Sequence, residues 1–365
     1  MMRYLFLYLF ILSTTLTIAQ AQQTPNAIVE EEVNKMQHKK WHPDVVLIVD
    51  DTQQQFAHGV GALQTETPYF IASTTKLFVV TLILKLTDEH ALQLDDPISK
   101  YLSADILNGL HTYKGVDYAS SITIRHLLAQ TSGLPNYFSD KGASGKSLEH
   151  QLLHGHDQQW TAEEAIAISK TMQPKFAPGT PGKAYYSDTN YQLLGLILKA
   201  VTQKSFNQLI QERICVPLNM QTTYVYSDTA DHKPLPLRYK KDVLQIPLAM
   251  TSVTTDGGIV STAADMQLFL QAFMKGKLFN AGHLFEMMQW NPIFSPFNYG
   301  LGLMQFTLPK IATLGAHTPK LIGHSGLSGA FAFYDADSDT YLTGTVNQLA
   351  KRSDSFKLMV RVMMR

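Results

Sequence analysis

The stretch Ser73–Pro97, "STTKLFVVTLILKLTDEHALQLDDP", constrains the fold more than any other part of the chain. Its interior has no glycine or proline and is apolar on nearly every side. A surface helix carries a single apolar stripe, whereas a helix that is apolar all round has to be enclosed by other elements. The chain must therefore wrap this helix, which is expected to end before Asp95-Asp96-Pro97. With 365 residues, 45% of them hydrophobic, it has enough material for one large core or two adjoining ones.

The flanking segments indicate what does the wrapping. "DVVLIVDD" and "QQFAHGVGAL" read as two neighbouring strands, and "YGLGLMQF", "KLIGHSG" and "GAFAFYDADSDTYLTGTVNQ" as further strands near the other end, with a turn over Asp335–Thr340. Between them the signals are mostly helical. Thr161-Ala-Glu-Glu164 opens "AEEAIAISK" as a capping box. "YQLLGLILKAV" and "STAADMQLFLQAF" are further apolar helices, and "SFKLMVRVMM" is a closing one. The expected fold is α/β of the α+β type. A mainly antiparallel sheet flanked by helices is built from residues 22–100 and 251–365, and residues 101–250 form an inserted helical domain.

Thirty basic and thirty acidic residues balance, which gives no electrostatic reason to expect nucleic acid as a partner. Cys215 is the one cysteine, so an internal disulfide framework and a cysteine-based metal knuckle are both excluded. Residues 1–21 read as a signal peptide: Arg3 precedes a long apolar run, and Ala19-Gln20-Ala21 fits a small-x-small cleavage pattern. The body is expected to be exported, to the periplasm or the exterior, with membrane contact only if that segment stays uncleaved.

Two serines compete for chemistry. Gly323-His324-Ser325-Gly326 looks like a nucleophile elbow, but the elbow needs a glycine at the fifth position and this chain has Leu327. That fold also places its histidine after the serine, and no histidine follows His324. Ser73-Thr74-Thr75-Lys76 is the better candidate. Three residues are close to one helical turn, so the hydroxyl and the amine face the same way. Ser73 would then lie at the positive end of a buried helix, where a free N–H can hold an oxyanion. Burial lowers a lysine pKa, which would make Lys76 a neutral base.

Taken with other segments, this pattern resembles the serine β-lactamase and penicillin-binding-protein superfamily, in the branch of class C β-lactamases, DD-carboxypeptidases and related esterases. "LDDPISKYL", "IRHLLAQTSGLPNY" (with Gln130 where histidine is usual), "APGTPGKAYYSDTNYQLLGLILKAVT" and "GGIVSTAADMQLFLQAF" follow in the family's order. The resemblance implies Ser73 as acylated nucleophile, Lys76 as its base partner and Tyr186 as proton shuttle. It also implies that Asp188, His324, Ser325, Gly326 and Leu327 line the substrate and oxyanion positions. The backbone N–H groups of Ser73 and Leu327 would form the oxyanion hole, and Gly326 would let substrate lie against its strand.

Two departures bear on substrate. Asp188 stands where Tyr-x-Asn has asparagine, and an ionised aspartate only accepts hydrogen bonds. Poor penicillin hydrolysis is therefore expected, with a preference for substrates presenting an N–H or ammonium, unless Asp188 merely caps the following helix. Beside Lys76 it would also tend to keep that lysine protonated, which favours Tyr186, more than Lys76, as general base. His324 replaces the lysine of Lys-Thr-Gly and would anchor a substrate carboxylate weakly and in a pH-dependent way. Glu149, His150, His154 and His156 lie close together, but no acid is spaced as in His-Glu-x-x-His, so a surface cluster is expected and no metal or cofactor. The functional expectation is an exported serine hydrolase acting through a Ser73 acyl-enzyme. Its substrate would be a D-amino-acid peptide or amide (peptidoglycan-derived peptides included), a small ester or a β-lactam. The alternative is a penicillin-binding protein or sensor that acylates without efficient turnover.

Overall fold

The computed structural model describes residues 25–51, 54–142, 145–307 and 319–364. The proposed signal segment lies outside the described residues. The principal sheet has eight strands: β1 (Val45–Asp50), β2 (Gln55–Val60), β3 (Asn291–Phe294), β4 (Phe297–Tyr299), β5 (Met304–Thr307), β6 (Lys320–Ser325), β7 (Ala330–Asp335) and β8 (Thr340–Thr345). Their spatial order is β3-β4-β5-β6-β7-β8-β1-β2, antiparallel at every step. The first strand thus closes on the last, Val46 opposite Thr345 and Asp50 opposite Tyr341.

Side chains alternate between the two faces of the sheet, as strand geometry requires. Val45, Leu47, Val49, Phe331 and Phe333 pack under helices α1 (Pro25–Gln37) and, at the chain's end, Asp354–Met363. Val46, Ile48, Ala330 and Ala332 share the other core with α2 (Lys76–Asp88), α3 (Thr189–Thr202) and α4 (Ala263–Met274), of which α4 lies against these strands. Ten of the thirteen α2 residues are buried, and Phe78 stacks on Phe269 of α4 at 4.0 Å between ring centroids. The all-round apolar pattern is accounted for by this enclosure.

Three local expectations need adjustment. α2 stops at Asp88, because His90 takes a left-handed φ of 58° and Leu92 and Leu94 fold back into the core. Burial of those two leucines made the apolar run outlast the helix. Ser73 sits on a 3-10 turn, Ala72–Thr75, just ahead of α2. "YGLGLMQF" is a hairpin, turned at Gly302 (φ 70°), where a Cβ would lie 2.7 Å from that of Val80. The Thr161 capping box is present, with Glu164 Oε2 accepting from the Thr161 N–H at 2.7 Å.

Candidate active site

Ser73 reaches its surroundings through the turn that carries it. The preceding strand, Tyr69–Phe70, pairs with Ile259–Ser261, which also pairs with Tyr224–Val225. The Gly326–Gly329 turn after β6 is pinned to that strand, since the Ser328 hydroxyl donates to the Phe70 carbonyl at 2.8 Å. A Cβ on Gly326 would lie 2.4 Å from the Ile71 carbonyl oxygen and 2.9 Å from the Ala72 Cβ. This glycine is therefore required by the close approach of the serine turn, and it lines the cleft beside Ser73. The backbone N–H groups of Ser73 and Leu327 meet no acceptor among the described residues, and both residues line the same cleft.

Lys76 is completely buried at the first position of α2. Its Nζ donates to Ser73 Oγ at 3.1 Å, to Asp188 Oδ1 at 2.7 Å and to the Asp256 carbonyl at 2.7 Å. An ammonium has three N–H donors and all three are committed. Burial works against the charge, but Asp188, Tyr186 and Asp256 outweigh it and raise the pKa above its ordinary value. Of the two expectations for Lys76, a base neutral by burial and an ammonium held by Asp188, the second fits: Lys76 is an ammonium with no lone pair to offer.

Tyr186 lies with its ring centroid 5.1 Å from that ammonium and edge-on to Tyr299. Burial pushes its phenol up to about 12, opposed by the Lys76 charge and reinforced by Asp188. Asp188 occupies the N-cap position of α3 but makes no capping hydrogen bond. Its second oxygen accepts from Asn136 Nδ2 at 3.1 Å, so both oxygens belong to the site.

His324 is buried and neutral. Nδ1–H donates to the Ser325 carbonyl at 2.8 Å, which leaves Nε2 to accept from the Tyr299 hydroxyl at 3.0 Å. Burial, then the Lys76 charge, push its pKa down to about 3. It cannot anchor a substrate carboxylate as a cation, which corrects that expectation. Ser325 Oγ contacts Met304 Sδ at 3.8 Å, and among the described residues no base is hydrogen-bonded to it.

Sequence reading missed four buried polar groups. Gln130 has a left-handed φ of 60° and accepts through Oε1 from the Ser187 N–H at 2.8 Å and from Asn190 Nδ2 at 2.6 Å. Its carbonyl accepts from the Tyr185 N–H at 2.8 Å, so it grips the chain on both sides of Tyr186. Asn136, Asp256 and Tyr137 complete the floor, the Tyr137 hydroxyl donating to Asp256 Oδ2 at 2.7 Å. For Gln130, Asn136 and Tyr137 the available signal was polar residues set in the apolar "LLAQTSGLPNY".

Ser73, Asn136, Tyr186, Asp188 and Asp256 line a cleft of about 540 Å³, with Lys76, Gln130, Tyr137 and His324 behind them. One wall includes Leu152, Ile246 and Met250, the other Ile293, Phe297 and Phe356. The His150 and His154 rings stack 4.1 Å apart on the exposed face of the helix Leu148–Leu153 and its cap. No group of three potential metal ligands occurs among the described residues.

A serine hydrogen-bonded to a buried lysine, with a tyrosine over the pair and a mixed antiparallel-sheet and helix scaffold, defines the β-lactamase/transpeptidase class of serine hydrolase. The profile of the Beta-lactamase family matches residues 29–360, and the chain belongs to that family. A D-stereospecific amidohydrolase from a Streptomyces species superposes with a TM-score of 0.75 at 26% identity, covering 92% of this chain and 97% of that one. D-amino acid amidase from Ochrobactrum anthropi SV3 shares the fold, with a TM-score of 0.74 at 22% identity over 93% and 99% of the two chains. Protein flp of Staphylococcus aureus (strain MW2) is 35% identical over 158 residues, 43% of this chain. The chain spans 28% of that relative's length.

Proposed function

We propose that this protein is an exported hydrolase of D-amino-acid amides or peptides and small esters, working through an acyl-enzyme on Ser73. The observation that carries the reading is the Lys76 ammonium, which bridges Ser73 Oγ and Asp188 beneath Tyr186. Because Lys76 already donates to Oγ, the serine's own proton is free to point at the Tyr186 oxygen. A neutral phenol can accept that proton and pass its own to the leaving nitrogen or oxygen in one concerted step. No phenolate need form, which suits a phenol raised to about 12. The N–H groups of Ser73 and Leu327 hold the developing oxyanion, and losing one such donor typically costs about a hundredfold or more in rate. Water then retraces the relay to release the acid. The similarity to an amidohydrolase specific for D-configured substrates supports the substrate class, and the acceptor-only Asp188 disfavours penicillins.

The test is a panel of p-nitrophenyl esters, D-alanyl peptides, D-amino-acid amides and nitrocefin, run with the intact protein and with Ser73→Ala. Turnover of amides or esters that disappears in Ser73→Ala, with a Ser73 adduct by intact mass, is the expected result. A lasting penicillin adduct without turnover of any substrate would favour the binder or sensor. Export is tested separately by fractionating cells and sequencing the mature N-terminus. Within the described residues no helix is long and apolar enough to cross a membrane.

A further inference from the structure

One carboxyl group in the cleft is not explained by the proton relay. Asp256 is 4% exposed and lines the cleft beside Asp188 and Ser73. Its Oδ2 accepts from Tyr137 and the Gln192 amide also lies against the carboxyl, but Oδ1 has no donor within hydrogen-bond distance among the described residues. Leaving a buried carboxyl oxygen unpaired is costly, and such an atom calls for a physical reason. The nearby cation does not provide one. Lys76 bonds to the main-chain carbonyl of Asp256, and its remaining N–H groups go to Ser73 and Asp188. Arg352 is the one lysine or arginine among the residues lining the cleft, and it is paired with Glu149 at 3.5 Å.

Two acidic side chains therefore flank the nucleophile with a single fixed ammonium between them, and one oxygen awaits a donor. We propose that Asp256, together with Asp188, forms a subsite for the primary α-ammonium of the substrate, so that the enzyme reads a free amine next to the scissile carbonyl. An N-acylated substrate offers a single N–H and no charge, so it can serve at most one of the two carboxyls. The inference rests on the reading of Ser73 as the acylated residue, because that places the scissile carbonyl beside these two carboxyls.

Binding is measured so that it does not depend on turnover. Calorimetry on the Ser73→Ala protein compares D-phenylalanine amide with its N-acetyl derivative, while steady-state turnover of the same pair by the intact enzyme reports on the catalytic reading. The amine form is expected to bind about 10- to 100-fold more tightly, the usual range for a hydrogen bond to a charged group. Asp256→Asn keeps an acceptor for Tyr137 and the main-chain carbonyl for Lys76, and is expected to collapse that preference towards unity. Equal binding of the two ligands overturns the subsite, and this comparison requires no change at Asp256. A proportionate loss for both ligands in Asp256→Asn also overturns it, because the carboxyl would then serve only the Lys76 site.

Discussion

Replacing Asp188 by asparagine, which makes the motif Tyr-x-Asn, is expected to damage this protein unless Asn136 changes with it. Asp188 Oδ1 accepts from Lys76 at 2.7 Å and Oδ2 from Asn136 Nδ2 at 3.1 Å. An asparagine turned to give its oxygen to Lys76 presents its NH₂ to the NH₂ of Asn136. Turned the other way, it presents NH₂ to an ammonium. Asn136 cannot flip to compensate, because its Oδ1 accepts the N–H groups of Phe138 at 2.9 Å and Ser139 at 3.3 Å. One buried donor is left unsatisfied and the Lys76 ion pair loses its counter-charge, together about 2–4 kcal/mol. Asn136→Asp alone faces two carboxylates and should also destabilise. The double variant Asp188→Asn/Asn136→Asp restores donor to acceptor, since the carboxylate introduced at position 136 still accepts from Phe138 and Ser139. Urea denaturation of the four proteins should give a coupling energy of about 2 kcal/mol or more in favour of the double variant. Penicillin hydrolysis should rise most in that variant, where the amide introduced at position 188 has a free face for an acyl-amide carbonyl. Additive single effects would refute the matched-pair reasoning.

The remaining predictions concern the groups around this pair. His324 has a folded pKa of about 3, below its ordinary 6.5, so the unfolded chain binds the extra proton between those values and stability falls as pH drops through that window. Asp256 is raised to about 7 by burial, then by Asp188, so it has the opposite sign and its contribution is lost as pH rises from about 4 to 7. His324→Gln and Asp256→Asn should consequently bend the pH–stability curve in opposite directions, read by thermal melts from pH 4 to 8. Gly326→Ala must push the Ile71–Ala72 backbone away, and should lower the acylation rate about a hundredfold or more for a stability loss of about 1–3 kcal/mol; stopped-flow acylation and a melt separate the two. Gln130→Leu strands the Ser187 N–H and the Asn190 amide. It should lower kcat more than it changes KM, with Gln130→Glu, which keeps the acceptor, recovering part of the loss.

The sheet and the buried helix were legible because both rest on local periodicity. Val45 to Val49 alternate between two cores, and α2 is apolar on every side, whatever the rest of the chain does. Where α2 ends was not legible, since Leu92 and Leu94 are as apolar outside the helix as in it. The constellation of Ser73, Lys76, Tyr186 and Asp188 was legible as a motif, and Asp188 already pointed to a protonated lysine, but the second acceptor was not legible. The two acceptors that hold Lys76 protonated lie 112 and 180 residues further along the chain, and one of them is a backbone carbonyl, which no side-chain pattern encodes. His324 failed for a related reason: a histidine's chemistry follows its exposure, and Tyr299 and the Ser325 carbonyl occupy both its nitrogens out of reach of solvent. Ser-x-x-Lys is thus compatible with either a base or a fixed cation. In this chain Asp188 and the Asp256 carbonyl decide the matter, and with Lys76 fixed as the cation, Tyr186 is the group near Ser73 with both a lone pair to accept a proton and a proton to give.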